Sequence, residues 1–92
     1  ILKDLQLVTL TEQVRAERNV QSERGALIFR ISKELSSATG LREGDVIIGM
    51  NRNRIESADE VRAAIEGLRR QEGVRVWLER DGSVVYTDLE FR

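Results

Sequence analysis

Residues 40 to 57 read GLREGDVIIGMNRNRIES, and the fold turns on this stretch. It opens on a corner where Gly44 permits a tight backbone turn and the Asp45 carboxylate can accept backbone N–H bonds. Val46, Ile47 and Ile48 then follow without a polar break. A strand with one face in water would alternate, so this run belongs near the centre of a core. NRNR, residues 51–54, is turn chemistry, because Asn51 and Asn53 both tolerate left-handed geometry. Ser57 next fits a helix N-cap, and Glu60 at the third helical position completes a capping box worth on the order of 1 kcal/mol.

Working outward, the helix begun at Ser57 carries Val61, Ala64, Ile65 and Leu68 at helical spacing, which predicts one buried stripe. Arg69, Arg70 and then Gly73 supply cations for the C-terminal dipole and a stop. Gly67 inside the helix suggests close approach of another group to the backbone. Towards the N-terminus, GALIFRIS (25–32) reads as a strand with Ala26, Ile28 and Arg30 opposite Leu27, Phe29 and Ile31. The second set is fully apolar, which suits a sheet packed on one side. KELSSATG (33–40) is a short helical stretch with Leu35 and Ala38 facing in and Gly40 as its stop. LQLVTL (5–10) is a further strand, Thr11 caps a short surface helix through TEQVRAERNV, and QSERG (21–25) connects. Downstream, Val74, Val76 and Leu78 alternate with Arg75, Trp77 and Glu79; Asp81-Gly82 turns; and Val85, Thr87, Leu89 and Phe91 alternate on the return. Trp77 should be partly buried on this hairpin. The order is that of a small α+β domain, a curled antiparallel sheet or partial barrel capped by two to three helices.

The chain has 92 residues, 40% of them apolar and 34% charged. That is one domain, residues 1–92, burying roughly 60–65% of its unfolded surface. It opens in mid-pattern at Ile1 without Met, which suggests a fragment of a longer protein. It contains neither cysteine nor histidine. There is thus no disulfide framework, no thiolate metal site, no Ser-His-Asp triad and no usual zinc ligand. A net charge of −1 lacks the basic excess of a nucleic-acid binder. No run approaches the ~18 apolar residues of a membrane span, so direct membrane insertion is not expected. Asp45, Asp59 and Glu60 fall at a corner and a helix start, where structure already accounts for them. Ser36 and Ser37 lack a base partner, and residues 40–44 lack the lysine of a phosphate loop. These readings predict a non-catalytic domain with no catalytic residue, metal or cofactor.

Three segments together resemble a PDZ domain of the bacterial type: GALIFRI, SATGLREGDVIIGMN and RIESADEVRAAI. GLREGDVI is similar to the family's Gly-Leu-x-x-Gly-Asp-Val-Ile motif. LVTLTEQVRAERN resembles the stretch after the peptide-binding loop in PDZ domains of HtrA (Deg, Do-like) serine proteases. In those proteases the strand order is circularly permuted relative to animal signalling PDZ domains.

The resemblance implies a peptide-binding module that recognises substrate, or regulates, for an HtrA-like envelope serine protease. The catalytic residues would lie in a separate protease domain upstream in the same chain. Protein quality control in the bacterial periplasm or envelope would be the setting, with oligomerisation possible through the parent protein. By the same resemblance, Leu2-Lys3-Asp4-Leu5 is the loop offering N–H groups to a peptide's terminal carboxylate. Gln6, Leu7, Val8 and Thr9 form the strand that accepts the peptide by strand addition. Ala58, Arg62 and Glu66 are the helix flank bordering it. Asp4 stands where the family has glycine, and Lys3 replaces an apolar residue. Asp adds a side chain and a like charge, which could cost a bound free C-terminus roughly 1–3 kcal/mol, or tenfold to a hundredfold in affinity. Strand addition depends on backbone groups, so internal segments and unfolded chains remain ligands. Arg62 and Glu66, four apart, either pair with each other at the surface or select charged and polar ligand side chains. The alternative is a PDZ-like assembly domain of a secretion-system component or membrane-embedded protease.

Overall fold

The computed structural model describes residues 4–67 and 73–90. Along the chain run β1 (Leu5–Thr9), α1 (Glu12–Arg18), β2 (Ala26–Ile31), α2 (Lys33–Thr39) and β3 (Val46–Met50). A short β4 (Asn53–Arg54), α3 (Ala58–Gly67), β5 (Gly73–Arg80) and β6 (Ser83–Glu90) follow. All strand pairings are antiparallel, in the order β1-β2-β3-β5-β6 with β4 hung on β3. Among the described residues β1 and β6 stand at the two ends of that order, and the sheet curls without closing.

The corner at residues 40–45 is held more firmly than its sequence suggests. Asp45 is only 2% exposed. It accepts the Arg42 N–H at 2.9 Å, as a corner carboxylate should. It also receives Nε and Nη2 of Arg80 at 2.9 and 2.6 Å. The same Nη2 donates to the Gly40 carbonyl at 2.9 Å, so the end of β5 clamps both ends of the corner. A two-pronged guanidinium–carboxylate pair suits a charge this buried. Glu79, 6% exposed, makes a second anchor by accepting the backbone N–H groups of Gln21 and Ser22 and the Ser22 hydroxyl. Burial pushes its carboxyl up, but these bonds and nearby Arg15 outweigh that and hold it below the usual range.

The core lies on both faces of the sheet. Ala26, Ile28, Ile47, Val61, Val76 and Leu78 belong to the larger cluster. Leu27 and Val46, facing the other way, close with Leu10 in a second cluster, against which Val14 of α1 and Ile48 pack. The expected one-sided packing is thus corrected: α1 covers the second face where β2 begins. Phe29 lies beyond that cover. The register passes from Gln6↔Arg30 to Leu7↔Ile28, leaving Phe29 as the extra residue of a bulge. It is 39% exposed, with the Arg18 and Arg30 guanidiniums 5.9 and 5.7 Å from its ring. Val46 and Ile47 are buried as expected, whereas Ile48 is half-buried because β3 bulges at it opposite β5.

Several caps follow the sequence reading. Thr11 Oγ1 accepts the Val14 N–H, and Asn19 ends α1 in the left-handed region. Gly40 ends α2 at φ 80°. Ser57 Oγ accepts the Glu60 N–H at 3.2 Å, but the Glu60 carboxylate takes the N–H of Glu56, one residue before the cap. Other expectations are revised. Ala38 is exposed; Thr39, four residues after Leu35, turns inward instead, and its carbonyl accepts the Thr87 hydroxyl. Asn51 is left-handed, but Asn53 is extended in β4. Among the described residues nothing lies within 4 Å of where a Cβ on Gly67 would sit. The close approach falls instead at Gly25, φ +149°, where a Cβ would sit 2.7 Å from the Ile47 carbonyl oxygen. Gly73 opens β5. Leu68, Arg69, Arg70 and Phe91 lie outside the described residues.

Candidate functional site

β1 is built to be read from the side. The Asp4 carbonyl accepts the Ser32 N–H at 2.9 Å, and the Leu10 N–H donates to Gly25 at 3.0 Å, both towards the β2 side. Strand alternation between these points turns the N–H and C=O groups of Leu5, Leu7 and Thr9 the other way. Among the described residues no strand pairs with that edge. The bulge leaves the edge regular, because its extra residue falls on β2. An edge with free donors and acceptors is a template for another strand.

Helix α3 forms the other bank. It runs antiparallel to β1, with Ala58 beside Thr9: the Thr9 hydroxyl oxygen accepts the Ala58 N–H at 2.9 Å. Seven residues along α3, about 10 Å, bring Ile65 towards the Leu5 end. There an apolar cavity of about 20 Å³ is lined by Leu5, Ile65, Leu35, Leu41, Val61 and Leu89, among others. Between the two banks lies a trough, apolar at one end and bridged at the other.

The expected site residues separate within this geometry. Leu2 and Lys3 lie outside the described residues. Asp4 is exposed at the mouth of the trough. Leu5 and Leu7 are 7% and 8% exposed, so their side chains belong to the core and only their backbone groups meet the edge. Gln6 and Val8 are exposed. On α3, Ala58 is 5% exposed, packed with the core at the bridged end, so only a sliver of it borders the trough. Arg62 is half-buried and pairs with Asp59 at 2.8 Å, not with Glu66. Glu66 is exposed on the same flank. The structure brings the strand and the helix flank together as the trough's banks.

Two features escaped sequence reasoning. The Thr9–Ala58 bridge joins residues 49 apart, and nothing local marks Thr9 as the acceptor for a helix start. Ile65 counted only as a member of the buried stripe, yet it is half-buried at the cavity. Its place one turn beyond Arg62, towards the loop end, could have signalled this. Elsewhere, on the terminal hairpin, Arg75 lies 4.2 Å over the Tyr86 ring. It donates from Nε and Nη2 to the Asp88 carboxylate, which holds that carboxyl below its ordinary range. Among the described residues no group of three or more Asp or Glu is placed to hold a metal ion. No helix among them is long and apolar enough to cross a membrane.

The PDZ domain family model matches residues 7–91. A search of curated protein sequences found no match. Among solved structures, the chain is similar to the HtrA-type protease AlgW with a decapeptide, at 16% identity and TM-score 0.80. That match covers 95% of this chain and 27% of AlgW, so the chain spans about a quarter of that protein's length. It is also similar to the HtrA3 PDZ domain bound to a phage-derived ligand (FGRWV), at 15% identity and TM-score 0.79, covering 95% of this chain and 80% of that one. AlgW with a tripeptide matches at 18% identity and TM-score 0.67, over 95% and 29%. At these identities the likenesses speak for the fold. The family match over nearly the whole chain, on a curled open sheet with this free edge beside α3, decides membership: the chain belongs to the PDZ domain family.

Proposed function

We propose that this domain binds peptides and unfolded segments by adding them as a strand to the free edge of β1, with α3 as the second bank. The observation that carries this reading is the outward-turned backbone of Leu5, Leu7 and Thr9 beside an apolar cavity at Leu5 and Ile65. Backbone hydrogen bonds along such an edge supply affinity with little regard to sequence, and a pocket for alternate side chains adds selectivity. In this reading Asp4 stands at the trough's mouth, Leu5 to Thr9 form the accepting strand, and Arg62 and Glu66 tune ligand charge. The peptide-bound likenesses to AlgW and HtrA3 support it. They also support placing these residues as one module of a longer HtrA-like envelope serine protease, where the module selects or reports substrate for a separate catalytic domain. The bacterial periplasm or envelope, and a role in protein quality control, belong to the same proposal.

Titrating the isotope-labelled domain with a library of unfolded-protein peptides tests this. Amide shifts of residues 4–9 and of α3, saturating below millimolar peptide, are expected. No shift at those residues would end the proposal. A second reading is favoured by the charged flank of Asp59, Arg62 and Glu66 together with Asp4. In it the trough meets a folded partner within an envelope assembly such as a secretion system. Failure of every peptide, with a stable oligomer in sedimentation, would move the balance there.

A further inference from the structure

We infer that the outer edge of β6 pairs with β6 of a second copy of this chain, antiparallel about a twofold axis at Tyr86, joining two sheets into one. β6 stands at the opposite end of the strand order from β1, so the inference does not rest on the strand-addition reading above.

Among the described residues no strand pairs with that edge of β6. The strand also carries exposed apolar side chains, Val84 at 62% and Tyr86 at 52%. Val85 and Leu89 pack on the larger core cluster, so alternation turns Val84, Tyr86 and Asp88 to the other face. There the pairing aligns Gly49, Trp77 and Tyr86 in one row across β3, β5 and β6. The indole lies against Gly49, where a Cβ would come within 3.3 Å of Trp77 Cδ1, and its ring centroid is 5.2 Å from that of Tyr86. The row runs out to the edge and stops. Edge strands are usually blunted by shortness, a bulge, a proline or a lysine. β6 has eight residues in unbroken register with β5, and SVVYTDLE contains neither proline nor lysine.

The turn fixes which backbone groups face outward. Asp81 and Gly82, with φ 52° and 80°, join Arg80 and Ser83 as a two-residue hairpin, whose flanking residues exchange both their bonds. Ser83, Val85, Thr87 and Leu89 are then bonded to β5, while Val84, Tyr86 and Asp88 turn N–H and C=O outward. A twofold partner matches both faces and bonding groups when a residue sits opposite its own copy. Two such registers overlap β6 almost fully, centred on Tyr86 or on Thr87. Charge decides between them. Centred on Thr87, the two Asp88 carboxylates stand about 7 Å apart along the joint and repel; centred on Tyr86 they stand about 14 Å apart, each opposite Val84 of the other copy. Tyr86 then meets Tyr86 of the second copy, and the two aromatic rows become one. Such a joint buries roughly 1,000 Å² in total, the low end for specific pairing, which suits dimerisation at tens to hundreds of micromolar.

Sedimentation equilibrium of the chain from about 10 µM to about 1 mM should therefore show monomer and dimer. Tyr86→Lys places a cation at the centre of an exposed joint and should weaken association at least about tenfold. The chain has no cysteine, so disulfide cross-linking with oxidised glutathione reads the register. Tyr86→Cys should link to its own copy, because facing residues of a hydrogen-bonded pair have Cα atoms about 5.5 Å apart. Val84→Cys and Asp88→Cys chains should link when mixed and not when alone. A monomer throughout the range would overturn the inference, as would association that Tyr86→Lys leaves unchanged. Linking at Thr87→Cys in preference to Tyr86→Cys would overturn the register. A dimer dispersed by a saturating strand-adding peptide would place the contact at β1 and overturn the inference while leaving strand addition standing. Dimerisation with every peptide failing to bind would do the reverse.

Discussion

Replacing Asp45 with Asn tests whether the clamped corner supports the fold. Three donors converge on the two carboxylate oxygens: Arg42 N–H, Arg80 Nε and Arg80 Nη2, at 2.9, 2.9 and 2.6 Å. Asn supplies one oxygen and one NH2, so at least one donor faces another donor. It also removes the charge opposite a guanidinium whose side chain is 23% exposed, against 3% for Asp45. Losing one charge-assisted bond costs about 1.5–3 kcal/mol, and a cation left without its charge partner adds to this. Partial exposure of Arg80 lets water recover some of that, so the net expectation is about 2–4 kcal/mol. For a chain of this size that corresponds to a fall in Tm of roughly 10–25 °C, read by circular dichroism or calorimetry. Asp88→Asn serves as the comparison, because its Arg75 partner is an exposed pair and its Tm should move far less. A Tm for Asp45→Asn as close to the parent as that of Asp88→Asn would refute the clamp.

Three further outcomes are expected. Ile47→Ala removes a side chain only 2% exposed at the junction of β2, β3 and β5, and should cost about 2–5 kcal/mol in a urea melt; a near-parental midpoint would mean β3 is not central. Glu79 is held below its ordinary value in the folded state, so its share of stability is present above an unfolded value near 4.5 and drains away as pH falls through the lower folded value. Urea midpoints of the parent should therefore converge on those of Glu79→Gln from about pH 6 down to about pH 3, and parallel curves would contradict this. Asp4→Gly removes an exposed carboxylate from the trough's mouth and should tighten a peptide with a free C-terminus roughly tenfold to a hundredfold by calorimetric titration, while an amidated peptide gains less. Equal or weaker binding of the free terminus would show that the loop does not face it.

Much of the chain was legible because its signals are local. Caps at Thr11, Ser57 and Gly40, the Asp81-Gly82 turn and the uninterrupted Val46-Ile47-Ile48 run each depend on neighbours a few residues away. Their order alone specified an α+β domain with a hairpin at its end, and the Gly-Asp corner carried the family likeness. The exclusion of histidine and cysteine chemistry was also complete in the sequence, since it needs only a count.

What lay beyond reach depends on which distant residues meet. Arg80 and Asp45 are 35 apart, Thr9 and Ala58 are 49 apart, and Glu79 closes on Gln21 and Ser22 from 58 and 57 residues away. No periodicity announces such partners. Periodicity also misjudged β2, because whether Leu27 faces water or a second core depends on where α1 comes to rest. The sequence by itself determined the elements and the kind of surface each carries. Only the tertiary structure decided that the edge of β1 has no strand partner among the described residues, beside α3, and that Thr9 bridges one end of the trough, because edges and bridges are made by residues the chain brings together only on folding.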